Sequence, residues 1–461
     1  MRSYLSKPYV IWLISISFYW ISLYPGRFGA DINSLITLIE VEKTTAHWTA
    51  LYFRFFQIVT LNGNFIGFGS LICMVLLALS LENFIRSIAK TKNSLNLCRA
   101  ILALSPFYGV FGMTFDHQLP TTVGFLNCLS FLLQKKSIFS QGINNSWRLC
   151  DYLWLIWSIL LMQTTFQGTF ISCIFIMLVL PKRYSVLTLL GILSFAIYSP
   201  TLLQVSTSPT PVSSSTADLR MVPLLGDIKC VVQHPKVILN DFEKMTLLKL
   251  GSMQEWREPK SCIVADNAFF ALRGSSKFEV EIATTWISLF KRYPQIVLVA
   301  HIQRSSMALP PPFFRGQPNM IPTNDLDPAG IELSVEMHQW SELFKTSLDN
   351  INLSLERPKI SRLLEPLPLL PAFFFNQNSG FWGWGGLWLA ITFTVLLLRL
   401  REGSSKTELM IMIPLFSLSV FLFILSPSSA CRYVMPQILT GLLLTLEYFL
   451  RLMRGLLQSK V

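Results

Sequence analysis

Apolar runs recur along the chain, separated by short polar stretches, and one long polar stretch interrupts the series. Runs of roughly 17–20 apolar residues suit helices that cross a bilayer core. The pattern predicts about ten, over residues 8–24, 63–81, 100–113, 120–133, 150–162, 169–180, 184–203, 381–398, 409–425 and 433–450. The links 115–119 and 163–168 are short enough for tight hairpins. Residues 205–380 hold no such run and are long enough to build a core of their own. Within them, Val205–Thr216 reads as a Ser/Thr/Pro linker, and Asn240 and Asp241 read as the start of a helix ending near Leu250. A second helix is expected over 278–293, with Trp286, Leu289 and Phe290 on its apolar side and Pro294 breaking it. A third is expected over 334–348, while Pro310–Pro312 forbids regular structure. The chain thus divides into 1–204, a transmembrane part with a first outer loop at 25–62; 205–380, a helix- and loop-rich insertion; and 381–461, the last transmembrane helices.

Composition sharpens this picture. The chain has 461 residues, of which 52% are hydrophobic and 14% charged. Its mean hydropathy is +0.48. A soluble domain carries about 25% charge, so the chain lacks the charge to cover a water-facing surface of its size. Thirty-five Phe and twelve Trp suit lipid and its interfaces. The fold class expected is a polytopic α-helical membrane protein.

Charge then orients it. The net charge is +12, yet residues 205–380 hold 17 basic and 17 acidic residues. The whole excess therefore sits in the short loops, which argues against a nucleic-acid partner and for the positive-inside rule. One set of loops (1–7, 82–99, 134–149, 181–183, 399–406, 451–461) carries 17 Lys and Arg. The opposing short loops carry Arg27, Lys43, Arg54 and Arg432. Both termini are expected in the cytoplasm and 205–380 outside, in a multi-pass inner-membrane protein. The first span resembles a signal peptide, but Pro25 and Phe28 make a poor cleavage site, so a retained anchor is expected. In an oxidising compartment Cys230 and Cys262 form the natural disulfide pair, with Cys431 as a competitor.

Candidate chemistry gathers in the outer loops. Tyr24-Pro25-Gly26 would hold Asp31 near the interface, where a carboxylate suits general-base work and equally suits a helix cap. Asp116 is the one acidic residue of the 115–119 turn, followed by His117. It too reads as a functional carboxylate or as a cap for the next span. Arg432, before Tyr433, could fork onto a lipid phosphate or contact ordinary headgroups. Glu447 and Asp151 read as solvated helix-end residues. Gly-rich phosphate loops, nucleophile elbows, paired-His zinc signatures and CxxC pairs do not occur.

A carboxylate in the first outer loop, another in the next turn and an Arg at the last span resemble the GT-C superfamily of membrane glycosyltransferases. The motifs are Tyr24-Pro25-Gly26 with Asp31, and Arg432-Tyr433-Val434-Met435-Pro436 after a late insertion. Trp256, Cys262-Ile263-Val264-Ala265-Asp266 and Trp286 to Tyr293-Pro294 follow in similar order. The resemblance implies transfer of a sugar from a polyprenyl-phosphate donor to a glycan, lipid or protein acceptor of the cell envelope. It implies Asp31 as the base and Arg432, Arg27 and Tyr433 at the donor phosphate. Asp116 and His117 form the second acidic motif, and Glu40 and His47 lie on the acceptor side. A divalent cation, magnesium or manganese, would sit at Asp116 if one is used. Two other classes fit the same composition: an O-antigen polymerase or lipid-linked saccharide flippase, and a structural or assembly protein. Few polar residues lie at span midpoints, which disfavours a transporter.

Overall fold

The computed structural model describes residues 8–24, 26, 49–63, 65–89, 91–114, 116–139, 149–179, 221–259, 262, 268, 270–272, 274–308, 358–368, 384–402, 406–425 and 431–458. Over these residues the protein is mostly helical and has no strand. The expected span at 184–203 and the expected helix at 334–348 lie outside the described residues, as do the linker and Pro310–Pro312.

Two hydrophobic cores organise the chain. The first is built by α1 (Pro8–Leu23), α2 (Ala50–Thr60), α3 (Ile66–Ile88), α4 (Lys92–Leu104), α5 (Pro106–Met113), α6 (Gln118–Phe139), α7 (Leu149–Met162) and α8 (Phe166–Val179). The late helices α15 (Gly385–Arg401), α16 (Met412–Leu425) and α17 (Met435–Gln458) complete it. The second core draws on α9 (Val222–Val232), α10 (Asp241–Leu250), α11 (Met253–Arg257), α12 (Glu279–Arg292) and α13 (Pro294–Ser305). Among the described residues one helix, α3, is long and apolar enough to cross a membrane by length and composition. Shorter apolar helices lie at Tyr9–Leu23, Leu153–Met162, Phe166–Leu178 and Leu409–Leu425.

Several expected boundaries shift for local reasons. The run 100–113 is not one helix: it breaks at Ser105, which is extended (φ −73°, ψ 134°) because Pro106 follows. Pro106 then opens α5, as proline does at a first helical turn. The run that starts near Gly63 continues as helix to Ile88, because Glu82 inside it is buried and paired rather than ending it. Pro294 ends α12 and at the same time begins α13, so it joins two helices instead of leading into a loop. The segment 25–62, expected as a loop, contains α2, which the apolar-run reading leaves out.

Small residues let α6, α7 and α8 approach closely. A Cβ on Gly168 would collide with the carbonyl oxygen of Met162, and one on Gly124 with that of Ser158. In the second core, Asn240 and Glu243 cap α10 reciprocally, Asn240 Oδ1 accepting from the Glu243 N–H (2.8 Å) and Glu243 Oε2 from the Asn240 N–H (2.9 Å). Leu289 is buried, and Trp286 and Phe290 pack against the same core. The cores meet where His301 of α13 sits edge-on against Phe423 of α16, with ring centroids 4.9 Å apart.

Candidate functional site

The described candidate residues gather at one end of the first core. A Pro106-started helix ends at Met113, and Thr114 closes it by donating to the Phe111 carbonyl (2.7 Å). Asp116 then turns the chain: its Oδ1 accepts the Gln118 N–H at 2.8 Å, satisfying one of the orphan donors at the start of α6. The cap reading of Asp116 is therefore correct as geometry. It leaves the carboxylate 9% exposed at the rim of the core. His117 Nδ1 lies 3.5 Å from the same Oδ1.

His117 is framed by two tyrosines from distant parts of the chain. Tyr52 of α2 meets it edge-on at 5.9 Å and Tyr433 at 6.3 Å between ring centroids. Tyr433 belongs to the single 3-10 turn Cys431–Val434 that leads into α17. So the 116–118 turn, the start of α2 and the start of α17 come together, although more than 300 residues separate the second from the third. Arg432 is part of that turn, but its side chain lies outside the described residues. Asp31, Arg27, Glu40 and His47 also lie outside the described residues.

Threonines and glutamines line the floor beneath. Thr121 Oγ1 is within hydrogen-bond distance of Thr164 Oγ1 (3.1 Å) and Thr165 Oγ1 (2.9 Å). Thr49, the N-cap of α2, donates to the Thr164 carbonyl at 2.8 Å and accepts from the Tyr52 N–H at 3.2 Å. That one hydroxyl ties the end of the first outer loop to the α7–α8 turn. Gln167 Nε2 donates to Gln118 Oε1. The side-chain oxygen of Gln163 is buried and has no hydrogen-bond partner among the described residues. A buried polar oxygen without a partner is costly in a finished core and useful where a polar ligand enters. The link 163–168 is legible in the sequence as a turn, but nothing local shows that its Thr and Gln side chains meet Thr121 and Gln118 more than 40 residues away.

Among the described residues no group of three or more His, Cys, Asp or Glu side chains is placed to hold a metal. Asp116 and His117 supply two donor groups next to one another, so a cation at Asp116 would need further ligands from elsewhere.

Two other charged groups differ from expectation. Glu447 is buried, not solvated: Arg399 Nη1 lies 3.3 Å and Arg451 Nη2 3.1 Å from it. Its partner Arg399 is 3% exposed and comes from α15, so two charged residues compensate each other inside the core. Glu82, read only as part of a loop, accepts from Arg99, Arg86 and Trp12. In the second core Asp227 is 1% exposed and holds Arg304 (3.0 Å), His301 (2.8 Å) and Trp286 (3.2 Å). Burial raises its pKa, but Arg304 and His301 outweigh that and hold the carboxyl below its ordinary range. Cys230 and Cys262 stand at disulfide distance, with Cα atoms 5.6 Å apart.

No family model, no curated protein and no solved structure matches the chain.

Proposed function

We propose that the protein is a polytopic inner-membrane glycosyltransferase of the GT-C kind, acting on the outer face. The apolar exterior of the first core supports the membrane reading. Leu13 and Ile14 of α1, Ile156 of α7, Phe170 of α8, Phe416 of α16 and Phe449 of α17 are all large, apolar and exposed. Monomeric soluble proteins rarely expose so much apolar surface on so many elements. The low charge fraction and the basic loops on one side agree with it.

The observation that carries the catalytic reading is the meeting of three segments of distant origin around His117. Asp116 stands beside it, Tyr52 marks the end of the first outer loop, and Tyr433 follows Arg432. On this reading Asp31 takes the proton of an acceptor hydroxyl as its oxygen attacks the anomeric carbon of the donor sugar. The bond from that carbon to the phosphate oxygen breaks, and the polyprenyl phosphate leaves with the electron pair. Arg432 receives the charge that develops on the phosphate. Tyr433 packs the Arg432 turn against His117, and the Thr and Gln floor offers hydrogen bonds to sugar hydroxyls.

The test uses membrane vesicles containing the full chain, supplied with a panel of labelled polyprenyl-phosphate hexoses and pentoses. Asp31→Asn keeps shape and any cap but removes the base, and should lower transfer roughly 10²–10⁴-fold with unfolding temperature unchanged. Asp116→Asn should also lower transfer. Transfer that stays near normal in Asp31→Asn would remove the base assignment, and no transfer from any donor by the parent chain would favour the flippase or polymerase classes.

A further inference from the structure

Residues 358–368 form a short, two-faced element that the catalytic reading leaves without a purpose. It contains α14 (Lys359–Leu364) and packs on the end of α1, where Ser361 Oγ donates to the carbonyls of Ser22 (3.1 Å) and Tyr24 (3.2 Å). Ser361 is fully buried in that joint. The other side carries Ile360, Leu363 and Leu367, 57%, 77% and 53% exposed. Their spacing places them along one face of a helical segment. Lys359 and Arg362 are exposed beside them.

Among the described residues nothing covers these three large apolar side chains, which stand opposite a buried hydroxyl contact. Their position says what covers them. The exposed face of α1 runs through Val10, Leu13, Ile14 and Ile21, and the 358–368 element docks where that stripe ends. The element thus stands at the end of the helix that carries this apolar stripe. The two cations stand where a lipid headgroup layer would begin.

We infer that residues 358–368 are an interfacial foot that lies in the outer leaflet, its Ile360–Leu363–Leu367 face among acyl chains and Lys359 and Arg362 at anionic phospholipid phosphates. The inference rests on the membrane reading of the first core and adds an anchoring surface to it. It also has a consequence for the site: the foot clamps the end of α1, the helix from which the first outer loop departs, at the depth of the headgroups.

A photoreactive p-benzoylphenylalanine at position 363 of the full chain, in nanodiscs of phosphatidylcholine with a minority of phosphatidylglycerol, tests this. The same residue is placed at position 13 on α1 and at position 254, on exposed Gln254 of the insertion. Illumination followed by intact-mass analysis should give a several-fold greater lipid adduct at 363 than at 254, and a strong adduct at 13. Lys359→Glu with Arg362→Glu should abolish the enrichment of phosphatidylglycerol over phosphatidylcholine in the 363 adduct. A lipid adduct at 13 with none at 363, or a cross-link from 363 to a second polypeptide, overturns the foot and leaves the membrane reading standing. No lipid adduct at 13 overturns the membrane reading itself.

Discussion

The bundle and the insertion are both helical and both join helices through buried carboxylates, yet the bundle adds close helix approaches through glycines and threonines. In the insertion, buried carboxylates are staples between distant helices. Asp227 of α9 holds side chains of α12 and α13, and Glu243 of α10 accepts from Ser288 (2.7 Å) and Arg292 of α12. In the bundle, Glu82 and Glu447 do the same across helices, and the helices also approach through glycines and threonines. A helix pair in water gains from burying apolar area, whereas a helix pair in lipid gains from close packing and interhelical hydrogen bonds. On the membrane reading proposed above, the close approaches of the bundle follow the second rule. Asp116 fits neither pattern: it sits at the rim, within its own turn, beside His117. On the catalytic reading proposed above, Asp116 acts from that position beside His117, whereas Asp227 is enclosed by Trp286, His301 and Arg304.

The strongest way to break this contrast is at Asp227. Asp227→Ala would leave Arg304, 1% exposed, without its carboxylate. Removing one partner of a buried ion pair costs about 3–5 kcal/mol. Thermal unfolding of the full chain should fall accordingly, while Asp116→Asn leaves it in place. A loss of stability in Asp116→Asn equal to that in Asp227→Ala would make both carboxylates staples. Acidity provides the same test without mutation. The folded pKa of Asp227 lies below the unfolded one, so its contribution is complete above the unfolded value of about 3.9 and fades as pH falls below it. Acid unfolding of Asp227→Ala should therefore lose part of the pH dependence below that point.

Reducing the Cys230–Cys262 pair comes next in size. The bridge closes a loop across a sequence separation of 32 residues, and loop-closure entropy for that length is about 3–4 kcal/mol. Dithiothreitol should lower the unfolding temperature of the parent chain but not that of Cys230→Ser with Cys262→Ser. Among the described residues the free cysteines Cys73, Cys98 and Cys128 are buried in the bundle while Cys150 is exposed, so thiol labelling after reduction is measured against the labelling of Cys150.

What could be read ahead of the structure follows from how local each interaction is. The start of α10 is legible in Asn240 and Asp241, though the reciprocal cap with Glu243 is a finding of the structure, and the face of α12 is legible because Trp286, Leu289 and Phe290 share one helix side. The cysteine pair was visible by compartment and count. The Asp227 staple was not, because its partners lie 74 and 77 residues away. Glu447 was misread for the same reason: Arg451 is one turn on, but Arg399 comes from another helix. The Ser105–Pro106 break had a signal in the proline itself, masked by the apolar composition around it. At the site, Asp116 and His117 stand out as ionisable residues in a short turn, whereas Gln163 and Thr164 are uncharged residues of the other short turn and Tyr52 is one aromatic among many, so only tertiary contacts distinguish them.

In the bundle, Gly168→Ala probes the close approach directly. The added methyl would meet the Met162 carbonyl and the Thr121 methyl, 2.9 Å from its ideal position. Overpacking of this kind costs about 1–3 kcal/mol, and it should displace the Thr121–Thr165 contact under the candidate site. The expected result is a moderate fall in unfolding temperature together with a fall in transfer. An unchanged protein would show that α6 and α8 are not in tight contact, and the bundle half of the contrast would fail.

The smallest effect is expected at Asn240. Its side chain caps α10 and nothing in the geometry ties it to another helix, since Oδ1 accepts the Glu243 N–H within the same turn. Asn240→Ala should cost about 1 kcal/mol, measured as a shift in the same unfolding transition. Glu243 is the informative comparison, because it serves the cap and the staple at once: its Oε2 accepts from the Asn240 N–H while Oε1 accepts from Ser288. Glu243→Gln keeps an acceptor for the cap but removes the charge that faces Arg292. If staples outweigh caps in the insertion, Glu243→Gln is the more damaging of the two, and Asn240→Ala adds little on top of it because the box is already weakened. If Asn240→Ala proves the more damaging, local helix ends rather than cross-helix carboxylates hold the insertion, and the likeness of Asp227 and Glu243 to Glu82 and Glu447 of the bundle is one of geometry without equal weight in stability.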